Sequence, residues 1–296
     1  MKYLIDRLLP AEQVHILAGA SGAGKTTLLF QNLRNWLDKK PVFGNSCDGG
    51  TLGYVAADRS LEEYEEKFEL MKLKPFNILC LTERPDFNPD HLNDTTLKIS
   101  LLSRIIKELN NPDLLVIDPL APFLPNNVND YHAVMKAMIA LQRICKSQHC
   151  TIIGTHHATK LKDATKFVRP QDRILGSAAL QGYSGTHLFL TDSAEIPNNP
   201  YRYSLFTIQP HNYPAQEVKY IRDHNGCFQE FEIPEDQLTD SIEFGEVLGS
   251  IPPPPASVST AFIVEASGKA QSTVYRALGK LEAEGKIKKQ ERGRWS

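Results

Sequence analysis

Residues Gly19-Ala20-Ser21-Gly22-Ala23-Gly24-Lys25-Thr26 match the spacing G-x-x-x-x-G-K-[ST] in full, and Thr27 extends it. Each type has a task at that spacing. Glycines let the backbone turn successive N–H groups inward, toward phosphate oxygens. A helix starting near Lys25 adds its positive end. Lys25 supplies a mobile ammonium for the β- and γ-phosphates, and Thr26 a hydroxyl for Mg²⁺. The stretch from Gly19 to Thr27 therefore reads as a contact surface for ATP.

A phosphate loop needs carboxylates around it. Asp118 follows the apolar run Leu114-Leu115-Val116-Ile117. It thus stands at the C-terminal end of a strand, where open α/β sheets bind ligands. There it is read as the residue that holds Mg²⁺ through water, with Thr26. The plainer reading is an Asp-Pro turn before Pro119. Asp58 ends a strand over residues 51–57 and reads as the group that polarises an attacking water. Its plainer reading is the start of a helix. Glu62 and Glu63, one turn on, read as a solvated face.

Thr155-His156-His157 follows a third strand, over residues 151–154. His156 is placed to sense the γ-phosphate and pass the signal to the next segment. Adjacent histidines on extended chain point opposite ways, which argues against a shared zinc ion.

Stepwise alternation of short apolar runs with helical patterns must position these residues. Val14 to Ala18, Thr51 to Ala56, Asn77 to Leu81, Leu114 to Ile117, Thr151 to Gly154 and His187 to Thr191 read as strands. Leu28 to Trp36, Leu61 to Met71, Leu97 to Leu109 and Tyr131 to Lys146 read as helices. This order predicts an α/β fold with a mostly parallel sheet covered on both faces. After Asp192 the pattern changes to antiparallel strands at Tyr203 to Gln209, Glu217 to Arg222 and Cys227 to Ile233. Pro252-Pro253-Pro254-Pro255 reads as a stiff joint. The predicted organisation is an ATPase domain over 1–235, a linker over 236–257, and a small domain over 258–296.

Composition excludes several classes. With 41% hydrophobic and 23% charged residues, the chain is neither disordered nor coiled-coil throughout. Its net charge of −2 rules out a globally basic nucleic-acid coat. No apolar run approaches the length of a membrane span. Charges at Lys2, Asp6 and Arg7 sit where a signal peptide needs apolar residues, so a cytoplasmic location is expected, with no membrane partner. Five cysteines without a C-x-x-C pair fit reduced thiols rather than zinc or disulfides.

The phosphate loop, the strand ending in Asp58, Leu115-Val116-Ile117-Asp118, and Ile153-Gly154-Thr155-His156-His157-Ala158-Thr159-Lys160 together resemble the RecA-type ATPases. In particular they resemble the RepA-like replicative helicases of plasmids and phages. Gly176-Ser177-Ala178-Ala179-Leu180 is similar to a Gly-Ser segment of that branch. The resemblance spans about residues 1 to 233. It implies a RecA-like core, ATP bound between subunits of a homo-oligomer such as a hexameric ring, and channel loops on DNA. Two departures stand out. The usual catalytic Glu is Asp58 here, and Phe206 to Asn212 lacks the Lys or Arg that serves a neighbouring subunit. Arg173 is the candidate substitute.

The same resemblance places a DNA loop at residues 158–173. Lys160, Lys162, Lys166, Arg169 and Arg173 there face two aspartates, a balance of +3. Such a loop can track single-stranded phosphates without reading sequence; the alternative is a solvated loop.

From Ala256 onward eight basic residues meet four acidic ones, or +4, leaving −6 for the rest. Helical patterns at Ser259 to Ala266 and Ser272 to Gly285, then a hairpin over Lys286 to Trp295, resemble a winged helix-turn-helix. In that arrangement Gln271, Ser272, Thr273 and Arg276 face bases or phosphates of duplex DNA, and Lys288, Lys289 and Arg292 its backbone. The alternative is a module for protein contacts.

The expectation is thus an ATP-hydrolysing, DNA-acting protein of replicative-helicase type, with ATP and Mg²⁺ as cofactors. A rival is an ATP-gated DNA-binding regulator or loader with slow turnover. A small-molecule kinase is a weaker third, since P-loops are shared and the tail is of DNA-binding type.

Overall fold

The computed structural model describes residues 2–87, 94–158, 173–176, 178–191, 203–210, 212–222, 226–230, 251, 258–267, 271–283, 285, 287–290 and 294–295. They divide into two units. One comprises residues 1–195 and 201–231, the other 196–200 and 232–296.

In the first unit β1 (Tyr3–Ile5) and β2 (Leu9–Pro10) form a small ribbon, followed by β3 (Val14–Gly19) and α1 (Lys25–Leu37). Next come β4 (Leu52–Ala56), α2 (Leu61–Met71), β5 (Leu79–Cys80), α3 (Thr95–Glu108) and β6 (Leu114–Asp118). Then follow α4 (Tyr131–Ser147), β7 (Thr151–His157), α5 (Ala178–Gly182), β8 (His187–Thr191), β9 (Tyr203–Gln209), β10 (Gln216–Arg222) and β11 (Phe228–Glu230).

The main sheet has nine strands in the order β11-β10-β9-β8-β3-β7-β6-β4-β5. From β8 to β5 every pairing is parallel, and β9, β10 and β11 add antiparallel strands beyond β8. This is the mostly parallel α/β architecture that the alternating pattern predicts. The chain leaves β3 toward β4, beyond β7 and β6, whereas it leaves the neighbouring β7 back across β3 to β8, so connections from these two adjacent strands run in opposite directions. The crevice at their C-terminal ends is where such sheets take ligands.

Residue parity on β6 shows why the strand is apolar throughout. Leu114 and Val116 pack with Leu28, Leu29 and Trp36 of α1 and with Tyr64 and Phe68 of α2. Leu115 and Ile117 pack on the other face with Leu101 and Ile105 of α3, Val134 and Leu141 of α4, and Ala179 of α5. Both faces of a parallel strand are buried, so no alternation is visible in its sequence.

Local signals set the helix starts. Asp94 accepts from the backbone of Thr96 at 2.7 Å, and Asp130 from that of Ala133 at 3.0 Å. Each cap contributes roughly 1 kcal/mol. His15 is fully buried but satisfied. Its Nε2 donates to the Pro10 carbonyl at 2.9 Å, and its Nδ1 accepts from Thr186 N at 2.9 Å. It thereby ties β2 and β3 to the turn before β8.

Among the parallel strands, two differ from expectation by more than one residue. β7 runs on through His157 rather than ending at Gly154, because Gly19 of β3 pairs with His157 and prolongs the ladder. β5 keeps only Leu79 and Cys80, since a 3-10 turn over Leu81–Glu83 follows at once.

The second unit holds β12 (Val258–Ser259), α6 (Thr260–Ser267), α7 (Gln271–Ala283), β13 (Lys289–Gln290) and β14 (Arg294–Trp295). Its three-stranded antiparallel sheet has the order β12-β14-β13. Ile263, Val274, Leu278, Leu281, Ile287 and Trp295 form its own core. The expected linker segments at 236–250 and Pro252–Pro255 lie outside the described residues.

Candidate nucleotide site

The phosphate loop connects β3 to α1. Gly22 and Gly24 have φ of 81° and 96°, in the left-handed region that side chains avoid. Gly24 is the N-cap of α1 and leaves it without a side-chain cap. Unlike α3 and α4, this helix therefore presents its first N–H groups to whatever the loop holds. The Lys25 ammonium donates to the carbonyls of Gly19 and Ala20, at 3.0 Å each.

Three hydroxyls converge on the carboxylate of Asp118. Thr26 Oγ1 donates to Oδ2 at 2.8 Å, Tyr54 OH to the same oxygen at 2.6 Å, and Thr155 Oγ1 to Oδ1 at 2.5 Å. Asp118 is only 7% exposed, so these donors replace much of its lost hydration. Parity explains the convergence. Tyr54 and Asp118 stand on the α1–α2 face of neighbouring strands, and Thr155 follows Ile153 onto that face from β7. The Tyr54 ring is fixed by an aromatic cluster, 5.4 Å from Phe30, which itself stacks on Phe68 at 4.6 Å. Complete burial and the Asp118 charge hold the Tyr54 phenol well above its usual pKa, so it stays protonated and can donate to Asp118.

Asp58 stands two residues beyond β4, exposed. Partial burial, then the negative charge of Asp118, raise its carboxyl above the ordinary aspartate value, while Arg59 and His157 oppose the shift. The two histidines diverge. His157 is exposed, and on the parity of Thr155. His156 is 5% exposed, and its Nε2 donates to the Leu175 carbonyl at 2.8 Å. That bond leaves Nδ1 as an acceptor, buried without a partner. Burial lowers its pKa, with further lowering from His157 and Lys25. His156 therefore ties the end of β7 to the segment around Gly176.

Other predicted residues are placed less centrally. Arg173 has its guanidinium 5.2 Å from the centre of the Phe189 ring of the same chain. Lys160, Lys162, Lys166, Arg169 and Arg292 lie outside the described residues. Gln271, Ser272, Thr273 and Arg276 fall in the first two turns of α7, with Gln271 exposed. Lys288 is exposed, and the Lys289 ammonium lies 5.7 Å from the centre of the Trp295 ring. Tyr275 of α7 is 55% exposed.

Three side chains at the site carry roles that the sequence reading did not assign: Tyr54, Thr155 and Arg222. Strand parity could have singled out the first two, since they share a face with Asp118. Arg222 ends β10, and its guanidinium donates to the carbonyls of Gly22 and Ala23. Nothing local signals a contact across about 200 positions.

The residues present fit a magnesium ion. Thr26 Oγ1 and Asp118 Oδ2 are adjacent hard oxygen donors beside an anion-binding loop. Among the described residues, no group of three or more His, Cys, Asp or Glu is placed to hold a metal by itself. A magnesium ion here would have to draw its remaining ligands from water and phosphate, as that ion commonly does. Among the described residues no helix is long and apolar enough to cross a membrane.

The family model described as AAA domain matches residues 1–163. The fold is similar to that of a KaiC-like protein from the hyperthermophilic archaeon Pyrococcus horikoshii. The sequences are 15% identical, the TM-score is 0.50, and the match covers 77% of this chain and 94% of that one. At that identity the likeness is one of fold. No curated protein matches the sequence.

Proposed function

Because the chain belongs to the AAA-domain family, we propose that it binds and hydrolyses ATP and couples that cycle to DNA, as a replicative-helicase-type ATPase. One observation carries the nucleotide half of the reading. Thr26 of the phosphate loop donates to Asp118 at the end of the adjoining parallel sheet, at 2.8 Å. A loop built for phosphates and an acid for the metal thus meet at one point.

The residues divide the work. Backbone N–H groups from Gly19 to Thr27 and the first turn of α1 bind the phosphates. Lys25 moves from its carbonyl partners onto the β- and γ-phosphate oxygens. Thr26 and, through water, Asp118 would hold a Mg²⁺ ion, which would neutralise charge on the phosphate oxygens. Tyr54 and Thr155 fix the Asp118 carboxylate so that it needs no rearrangement during turnover. Asp58 accepts the proton of the attacking water. His156 relays the state of the site through Leu175 to the segment that precedes Gly176.

The DNA half rests on charge and pattern. The basic segment 158–173 is assigned to single strands, and the +4 tail, as a winged helix, to duplex. The order of α6, α7, β13 and β14 supports the winged-helix reading. Assembly into a homo-oligomer, a hexameric ring in the helicase case, belongs to the same proposal.

A second reading is favoured by Asp58. Its side chain is one methylene shorter than glutamate and sits exposed beyond β4. That suits an ATP-gated DNA-binding switch with slow turnover.

Steady-state ATP hydrolysis with and without single-stranded and duplex DNA separates the two, with Lys25→Ala as blank. Strong stimulation by single strands, followed by strand displacement, supports the motor. Tight ATP binding and ATP-dependent duplex binding with little turnover support the switch. Undiminished turnover in Lys25→Ala would remove the site assignment from both.

A further inference from the structure

The antiparallel strands beyond β8 reach back to the phosphate loop of their own chain. Gln31 of α1 makes a two-way clamp with β11: its Nε2 donates to the Phe228 carbonyl at 3.0 Å, and its Oε1 accepts from Phe228 N at 2.8 Å. Cys227, beside it, donates its thiol to the Met71 carbonyl at 3.9 Å. The hairpin is thereby anchored on α1 and on the end of α2.

From this anchor Arg222 extends over the loop. Its guanidinium lies 4.9 Å from the centre of the Phe228 ring, which orients the planar fork. Its Nη2 donates to the carbonyl of Ala23 and, at 3.5 Å, to that of Gly22. The approach is so close that a Cβ on Gly24 would fall 2.5 Å from Arg222 Nη2 and 2.8 Å from the Phe228 ring. Gly24 is thus required twice, by its φ and by this contact.

A loop that turns its N–H groups toward an anion must turn carbonyls outward. Carbonyls held by a cation keep that polarity fixed. Arg222 thus joins Lys25 as a second cation of the same chain on carbonyls of the loop.

We propose that Arg222 is a positioning residue acting in cis: by binding the outward carbonyls of Gly22 and Ala23 it holds the phosphate loop of its own chain ready for a nucleoside di- or triphosphate. This rests on reading Gly19 to Thr27 as a nucleotide loop. It also assigns a task to the final strands that the pairing of the sheet alone does not require.

The test uses the full chain with Arg222→Ala, Arg222→Lys and Phe228→Leu, each checked for folding by circular dichroism. ADP and ATP affinities are measured by calorimetry, and KM and kcat by steady-state hydrolysis. Removing the guanidinium costs about tenfold in affinity, the scale of one charge-assisted hydrogen bond, equally for ADP and ATP. KM follows and kcat stays within about twofold. Arg222→Lys recovers part of the loss. Phe228→Leu keeps the cation but frees its orientation, and weakens binding by less.

Mixing decides between cis and trans action. Arg222→Ala is combined with excess Lys25→Ala. A cis role leaves the mixture no more active than Arg222→Ala alone. Recovery on mixing would show that Arg222 serves a neighbouring chain and would overturn the proposal. So would unchanged affinity with collapsed kcat, which would place Arg222 on the transferred phosphoryl group. Failure of the underlying reading looks different: wild type and Lys25→Ala would then bind nucleotide equally, or not at all.

Discussion

The phenol of Tyr54 and the hydroxyl of Thr26 donate to one and the same oxygen of Asp118, at 2.6 and 2.8 Å. A strand residue and a helix residue thus share a single acceptor. Tyr54→Phe deletes one donor and leaves the aromatic packing intact. The carboxylate then lacks part of its compensation, at a cost of about 1–3 kcal/mol. We expect a lower urea midpoint and a several-fold higher half-saturating Mg²⁺ concentration. Both quantities unchanged would show that Asp118 does not depend on Tyr54.

Asp58 must be ionised to take a proton from water. Its carboxyl is raised by partial burial and by Asp118. The acid limb of kcat therefore lies above the roughly 3.9 of an ordinary aspartate, with activity lost as pH falls through it. Asp58→Asn removes the limb and lowers kcat about a hundredfold or more, with KM little changed. Asp58→Glu, longer by one methylene, should speed turnover. A pH profile shared by wild type and Asp58→Asn would assign the base elsewhere.

His156 offers a stability test. Burial lowers its folded-state pKa. Below about 6.5 the unfolded chain takes up a proton that the folded chain refuses, so stability falls as pH drops through that window. His156→Gln keeps an Nε donor for the Leu175 carbonyl and does not titrate. Urea melts from pH 7.5 to 5.5 should show wild type losing more stability than the variant. Parallel losses would mean that His156 is not held neutral.

For the tail, Lys288→Ala with Lys289→Ala should lower duplex affinity uniformly across sequences. The slope of log affinity against log salt should shrink by about two, one per phosphate contact. A slope identical to wild type would retire these lysines as backbone contacts.

Periodicity made most of the core legible. β6 reads as buried because Leu114 to Ile117 contains no polar residue, and α4 because Val134, Met138, Leu141 and Cys145 recur at helical spacing. Lys25, Thr26 and Asp118 were legible because phosphate chemistry restricts both residue type and spacing. His156 reads as a sensing position, and its bond to the Leu175 carbonyl was not legible. The ladder extends to His157, so alternation sends Thr155 and His157 one way and His156 the other. Arg222 was not legible at all. Its partners are the Gly22 and Ala23 carbonyls, and a backbone carbonyl leaves no mark on residue type.

The Asp118 cluster has a consequence for how the chain reaches its fold. Its donors come from β4, β7 and α1, so it forms only when three separate segments are correctly threaded. A slip of one residue in β4 would turn Tyr54 to the opposite face, and the same slip in β7 would turn Thr155 away. Parallel strands joined by long crossovers form slowly and are open to such errors. A ligand that binds only the correctly threaded chain stabilises it selectively, by about 2.7 kcal/mol at a hundred times its dissociation constant. Nucleotide would then act during synthesis as well as during turnover, as a template that rewards the right threading of the sheet.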